Sequence, residues 1–215
     1  MIRWLLIVLA MSSAPTAAGD PSVSAGGWHS LALHADGTLR SWGDDSAGAL
    51  GIGRPLVSSS PLAVAGLAGV IAVSAGGNHT VALKGDGTVW TWGNNDNGRL
   101  GDGSTTRRLL PGQVIGLTGV TAIDAGGGHS LAVKSDGTLW AWGTNGNGQL
   151  GDGTNTDRSL PVQVSGLTGI VAASGGSYFS LALMSDGTVW SFGWNGLGQL
   201  GDGTRADRSL PGQVS

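Results

Sequence analysis

The chain has 215 residues, of which 41 are glycine, nine tryptophan and none cysteine, and only 12% are charged, against roughly 25% in an ordinary globular domain. Disulfides and a lipid-anchoring thiol are therefore excluded. With a formal charge of −3 and Arg107-Arg108 as the only adjacent basic pair, no electrostatic footprint for nucleic acid or an anionic membrane is present.

Glutamate is absent and lysine occurs only at Lys84 and Lys134, so long-chain helix formers are scarce against Val, Thr, Trp and Gly. An all-β fold is the expectation. The amino terminus reads as an export signal over residues 1–19: Arg3 gives a positive start, Trp4 to Met11 are apolar, and Ser12 to Gly19 are small or turn-forming. Eight apolar residues are too few to span a bilayer. The chain is accordingly expected in the medium, periplasm or cell envelope, with no integral membrane segment after cleavage.

Beyond the leader, one unit recurs every 50 residues without insertion or deletion. The shift brings His29, His79 and His129 into register with Phe179, and Trp42, Trp92 and Trp142 into register with Phe192. It also superposes four Asp-Gly-Thr turns, beginning at Asp36, Asp86, Asp136 and Asp186. A fixed period of this length indicates a propeller, solenoid or array. The units run over about 20–65, 66–115, 116–165 and 166–215.

In the third unit, Val120 to Ala125 is a short apolar run, glycines break it, and His129 to Lys134 alternates with the period of a strand. Asp136-Gly137 supplies a tight hairpin with positive φ angles, returning Leu139 to Gly143 antiparallel. A glycine- and asparagine-rich stretch follows, with an extra turn or bridge expected around Gly148 to Gly151, and then a fourth, outer strand around Leu160 to Val164, where Pro161 suits an edge. Four short strands per unit with no helices between them predict β-propeller blades.

Several residue patterns invite chemistry that the placement argues against. Three period-50 histidines suggest a zinc site, but they fall on the second strand, away from the axis, and ring nitrogens bonded to nearby backbone explain them better. Ser30, Ser130 and Ser180 follow His29, His129 and Phe179 directly, yet adjacent strand residues face opposite ways and cannot form a nucleophile and base. Gly146 to Gly151 matches a dinucleotide fingerprint literally but opens no helix. Asp96, Asp102, Asp152 and Asp202 read as solvated turn residues rather than calcium ligands, since no glutamate closes a site. No catalytic residue, metal or cofactor is predicted.

The order Ala-Gly-Gly-x-His-Ser-Leu-Ala, Asp-Gly-Thr-x-Trp-x-Trp-Gly, Asn-x-x-Gly-Gln-Leu-Gly-Asp-Gly-Thr and Leu-Pro-x-Gln-Val closely resembles the repeat of the regulator of chromosome condensation family, over roughly Val23 to Ser215. The resemblance implies a propeller of usually seven blades that serves as a platform for protein partners. It also brings two activities known among relatives: guanine-nucleotide exchange on the small GTPase Ran, with docking on chromatin, and inhibition of β-lactamases by a secreted bacterial member. This chain departs from the pattern in having four repeats, an export signal and no basic tail.

What the units share is scaffold, so function is sought where they differ. Three windows vary: residues 28, 78, 128 and 178; residues 44–47 and their equivalents; and residues 55–59 and theirs. Exposed aromatics and arginines in such loops make binding hot spots. Trp28, Tyr178, Trp194, Arg107, Arg108, Arg158 and Arg208 form the predicted contact set for an unidentified protein partner. Closure stays open at this level: seven blades turn about 51° each but four need about 90°. The options are an open arc, a homodimer closing an eight-blade ring, or a piece of a longer repeat protein.

Overall fold

The computed structural model describes residues 20–215, and the export signal predicted over residues 1–19 lies outside the described residues. Sixteen strands form four antiparallel sheets, each assembled from consecutive strands. Blade 1 contains β1 (Ser22–Ala25), β2 (His29–Leu33), β3 (Leu39–Gly43) and β4 (Ser58–Ala63). Blade 2 contains β5 (Val70–Ala75), β6 (His79–Lys84), β7 (Val89–Gly93) and β8 (Arg108–Gln113). Blade 3 contains β9 (Val120–Ala125), β10 (His129–Lys134), β11 (Leu139–Gly143) and β12 (Arg158–Gln163). Blade 4 contains β13 (Ile170–Gly175), β14 (Phe179–Met184), β15 (Val189–Gly193) and β16 (Arg208–Gln213). The sheets form a partial β-propeller that does not close on itself.

The hairpin glycine is placed as its sequence requires, but the turn differs from the tight two-residue form. Gly37, Gly87, Gly137 and Gly187 have φ between 77° and 87°, whereas no non-glycine residue has positive φ among the described residues. The bonds Gly37 N–H to His34 O (2.9 Å) and His34 N–H to Thr38 O (2.9 Å) enclose a three-residue loop. This is a type I turn completed by a left-handed glycine. Asp36 Oδ1 accepts from both the backbone N–H (2.9 Å) and the hydroxyl (2.7 Å) of Thr38, which holds the turn.

Each core lies between two blades. Leu31, Leu33, Leu39 and Val64 of blade 1 pack with Val70, Ala75, Ala82 and Trp92 of blade 2. The same positions pack at the next two joins, where Trp142 and then Phe192 take the place of Trp92. Blades 2 and 3 therefore each bury one face against the preceding blade and the other against the following one.

The histidines work at the same joins. His29 Nε2 bonds Thr80 Oγ1 (2.9 Å), His79 Nε2 bonds Ser130 Oγ (3.0 Å) and His129 Nε2 bonds Ser180 Oγ (2.8 Å). Each hydroxyl donates its own proton back to the earlier blade, to the carbonyls of Ala49 (2.9 Å), Arg99 (3.0 Å) and Gln149 (2.8 Å). With its hydrogen spent there, the hydroxyl must accept, so Nε2 carries the imidazole proton. The expected backbone partners are thus replaced by hydroxyls of the neighbouring blade. A strand residue pointing at a blade join meets the next sheet before it can reach its own backbone.

Trp92 Nε1 and Trp142 Nε1 donate to the same Ala49 and Arg99 carbonyls at 2.8 and 2.9 Å, filling both lone pairs. Gly76 and Gly126 lie so close under His79 and His129 that a Cβ would stand within 2.3 and 2.2 Å of ring carbon Cε1. Glycine there is a steric requirement of the join.

Candidate protein-binding face

Strand parity decides where the variable windows go. In an antiparallel four-strand blade, the connections after the first and third strands emerge at one end and the hairpin after the second at the other. The windows at residues 28, 44–47 and 55–59, and their equivalents, all belong to the first end. Backbone bonds tie them together: Asp44 N–H to Trp28 O and Trp194 N–H to Tyr178 O, each at 2.9 Å.

Adjacent blades lock this end further. Arg107 Nη1 donates to Ser46 O of blade 1 (3.0 Å), and Asn97 Nδ2 of blade 2 donates to Asp157 Oδ2 of blade 3 (2.6 Å). The glycine-rich stretch before the fourth strand forms two successive turns, closed by Gly148 N–H to Asn145 O (2.8 Å) and Gly151 N–H to Gly148 O (3.0 Å). It then bridges to the next blade through Gly153 N–H to Ser209 O (2.9 Å). The loops at this end are therefore bonded in place, a rigid base for recognition.

The predicted contact residues separate into two groups. Tyr178 and Trp194 meet edge to face, with ring centroids 6.3 Å apart and planes at 84°. Leu197, inside the variable window but left out of the predicted contact set, is 79% exposed in the same loop as Trp194 and adds apolar surface. It was detectable as an apolar residue where the equivalent positions hold alanine or asparagine. Trp28 is exposed at the same end but in blade 1, at the opposite extremity of the arc. Arg107 is exposed and belongs to this end.

Arg108, Arg158 and Arg208 are held inside their own blades. Arg108 forms a very short ion pair with Asp102, Arg158 Nη2 lies 2.7 Å from Asp152 Oδ2, and Arg208 Nη1 lies 3.3 Å from Asp202 Oδ2. These aspartates are correspondingly not solvated turn residues: their side chains are only 10%, 7% and 10% exposed. Burial pushes the Asp102 carboxyl up, but hydrogen bonds from the Ser104 backbone N–H and hydroxyl, joined by the Arg108 charge, outweigh it and hold the carboxyl below its ordinary range. Asp96 is exposed and accepts from Asn94 Nδ2 (2.9 Å).

No group of three or more His, Cys, Asp or Glu side chains converges on a metal position among the described residues. The serine–histidine pairs are buried and cross the blade joins, with the hydroxyl proton already donated to a carbonyl. Burial lowers His29 and His129 to about 4, so both rings are neutral at pH 7. Gly146 to Gly151 is a pair of turns between strands, with no helix terminus to face a phosphate.

These features define a β-propeller repeat scaffold that displays variable loops from one end. The RCC1-like domain model matches residues 12–215, and the chain belongs to that family. Human WBSCR16 is similar in structure, with a TM-score of 0.82 at 27% identity over 92% of this chain and 53% of that one. Prp20p from Saccharomyces cerevisiae, whose binding to Gsp1p and histones is described with its structure, superposes with a TM-score of 0.80 at 24% identity, covering 90% of this chain and 50% of that one. A segment of 49 residues, 22% of this chain, is 49% identical to the human probable E3 ubiquitin-protein ligase HERC3 and covers 5% of that protein. The chain thus spans about half the length of the solved structures it matches.

Proposed function

We propose that the chain is a non-catalytic, extracytoplasmic scaffold that captures a protein partner on its loop-bearing end. The observation that carries this reading is the edge-to-face Tyr178–Trp194 pair, with exposed Leu197 in the same loop as Trp194, on loops bonded to their blades. Aromatic anchors on a preorganised base bind with little ordering cost, which is how hot spots concentrate affinity. Trp28 and Arg107 complete the contact set, while Arg108, Arg158 and Arg208 hold the loops that present it. The export-type leader supports action outside the cytoplasm.

The test is capture of a partner from native envelope or medium by the chain and by a Trp28→Ala, Tyr178→Ala, Trp194→Ala variant. Loss of the captured partner with an unchanged circular dichroism spectrum is the expected result; equal capture refutes the assignment. Nucleotide exchange on a small GTPase, the activity brought by family resemblance, is tested by labelled-nucleotide release, with no acceleration expected. Titration against secreted hydrolases, β-lactamases included, tests whether the captured partner is an enzyme that the scaffold inhibits.

A further inference from the structure

In blades 2 to 4, side chains hold the stretch between the third and fourth strands to its own blade. Asn95 Nδ2 donates to the Ser104 and Thr106 carbonyls (3.1 Å each), and Asn145 and Asn195 do the same to the Thr154 and Thr204 carbonyls (3.0 and 3.2 Å). Asp102, Asp152 and Asp202 pair with Arg108, Arg158 and Arg208, and accept the N–H groups of Ser104, Thr154 and Thr204 at 2.9 Å. Blade 1 has lost these ties. Ile52 and Ser58 stand where the aspartate–arginine pair would be, and Arg54 and Leu56 stand where Ser104 and Thr106 are. Among the described residues, one hydrogen bond holds residues 52–57, from Gly53 N–H to Leu109 O of blade 2 (2.9 Å).

The chain nevertheless follows the same course there. Gly103 and Gly153 make the equivalent bonds to the Ser159 and Ser209 carbonyls, both at 2.9 Å, and Gly43 pairs with Ser58 as Gly93 does with Arg108. Asp45 occupies the place of Asn95, Asn145 and Asn195 and is fully buried. Its Oδ1 accepts the Leu50 N–H (2.7 Å), as each asparagine Oδ1 accepts the matching leucine N–H (2.9 Å). By that equivalence Oδ2 lies where the amide nitrogen lies in the other blades, facing the Arg54 carbonyl, and it has no hydrogen-bond partner. Two facing oxygens with no hydrogen between them repel. A carboxylic acid has the shape of the amide and carries the missing hydrogen.

We propose that a proton on Asp45 is the lock of this loop: protonated, the carboxyl donates to the Arg54 carbonyl and holds residues 52–57 on blade 1, and ionised, it releases them. Burial, helped by the Asp44 charge and opposed by the Leu50 N–H, pushes the carboxyl up to about 6 from 3.8. The closed loop thus holds the proton more tightly than the open one. Closure is strongest below 3.8, weakens as pH rises through 6 and is weakest above. The other charged or titratable side chains on the elements around Asp45 are engaged elsewhere or exposed. Asp44 accepts from Ser46, His29 bonds Thr80, Arg107 bonds the Ser46 carbonyl, Arg108 pairs with Asp102, and Arg54 is exposed on the loop itself. Residues 55–57 belong to the third variable window of the loop-bearing end, so the lock sets whether blade 1 presents that window preorganised for a partner. This consequence rests on the binding role proposed above; the lock does not.

The experiment is hydrogen exchange of the Gly53 amide between pH 4.5 and 7, followed by NMR in the chain and in an Asp45→Asn variant, with Gly103 and Gly153 as references in the same sample. The three amides make bonds of equal length, so after correction for intrinsic rates the ratio of Gly53 to Gly103 protection reports the blade 1 loop alone. In the parent chain the ratio is expected to fall about twentyfold from pH 4.5 to 7, and in Asp45→Asn to stay constant. A ratio independent of pH in the parent, or one that falls equally in the variant, overturns the lock. Capture of the partner by the two proteins at pH 5 and 7 tests the regulation: the parent should lose partner relative to Asp45→Asn at pH 7, and an unchanged ratio overturns the regulatory role. Absence of any captured partner overturns the scaffold reading, while the exchange of Gly53 still decides the lock.

Discussion

Replacing Asp45 by asparagine should stabilise the protein, and by an amount that depends on pH. Asp45 is buried; its Oδ1 accepts the Leu50 N–H (2.7 Å), and its Oδ2 has no partner. Blades 2 to 4 carry asparagine at this place. There Oδ1 accepts the same leucine N–H at 2.9 Å, while Nδ2 donates to a later turn, as Asn95 does to Asp102 and the Ser104 carbonyl. Burial pushes the Asp45 carboxyl up to about 6 from 3.8. That difference of about two pH units corresponds to roughly 3 kcal/mol by which ionisation opposes folding. Because the folded value is the higher one, the penalty is absent below 3.8, grows as pH rises through 6, and is complete above it. Asp45→Asn should therefore gain about 3 kcal/mol at pH 7.5 and little at pH 4, a shift of about 2–4 °C in midpoint for each kcal/mol at this chain size. Paired thermal and urea melts at pH 4, 5.5 and 7.5 and one chain concentration measure it. A difference independent of pH, or a less stable variant at pH 7.5, would refute the reasoning.

The blade joins give further expectations. His29 and His129 are lowered to about 4 by burial, so each is neutral when folded but protonates near 6.5 when unfolded. Their contribution is intact above 6.5 and is lost as pH falls toward 4, by about 2–3 kcal/mol each at pH 4.5. Urea midpoints between pH 7 and 4.5 in the Asp45→Asn background read this loss together with that of His79, which burial also lowers well below its ordinary value. Trp142→Phe repeats what blade 4 does at Phe192, and should cost about 1 kcal/mol for the lost bond to the Arg99 carbonyl. Ser130→Ala strands the buried His79 Nε2 and should cost about 1–3 kcal/mol, read from the same melts.

Much of the fold was legible in the sequence because strand, hairpin and period are local signals. The bounds of β9, β10 and β11 agree with the apolar run, the alternation and the returning strand, and Asp-Gly marked each hairpin. The turn itself was misjudged, since only the glycine needs positive φ once Asp36 Oδ1 secures Thr38. Pairs separated by 51 residues, such as His129 and Ser180, were not legible. Their partnership depends on how one sheet lies on the next, which no window within a repeat contains. The Asp102–Arg108 pair spans six residues and recurs at Asp152–Arg158 and Asp202–Arg208. By the rule that shared positions are scaffold, it could have been recognised.

Sequence alone determined that residues 20–215 are repeated β blades, because a unit returning every 50 residues with the same turns and anchors can fold only as the same sheet each time. Tertiary structure alone decided which side chains are free to bind and which are spent. Stacking one blade on another turns histidines, tryptophans and hydroxyls into a join, and among the described residues it leaves Tyr178, Leu197 and Val57 exposed and Trp194 half-buried.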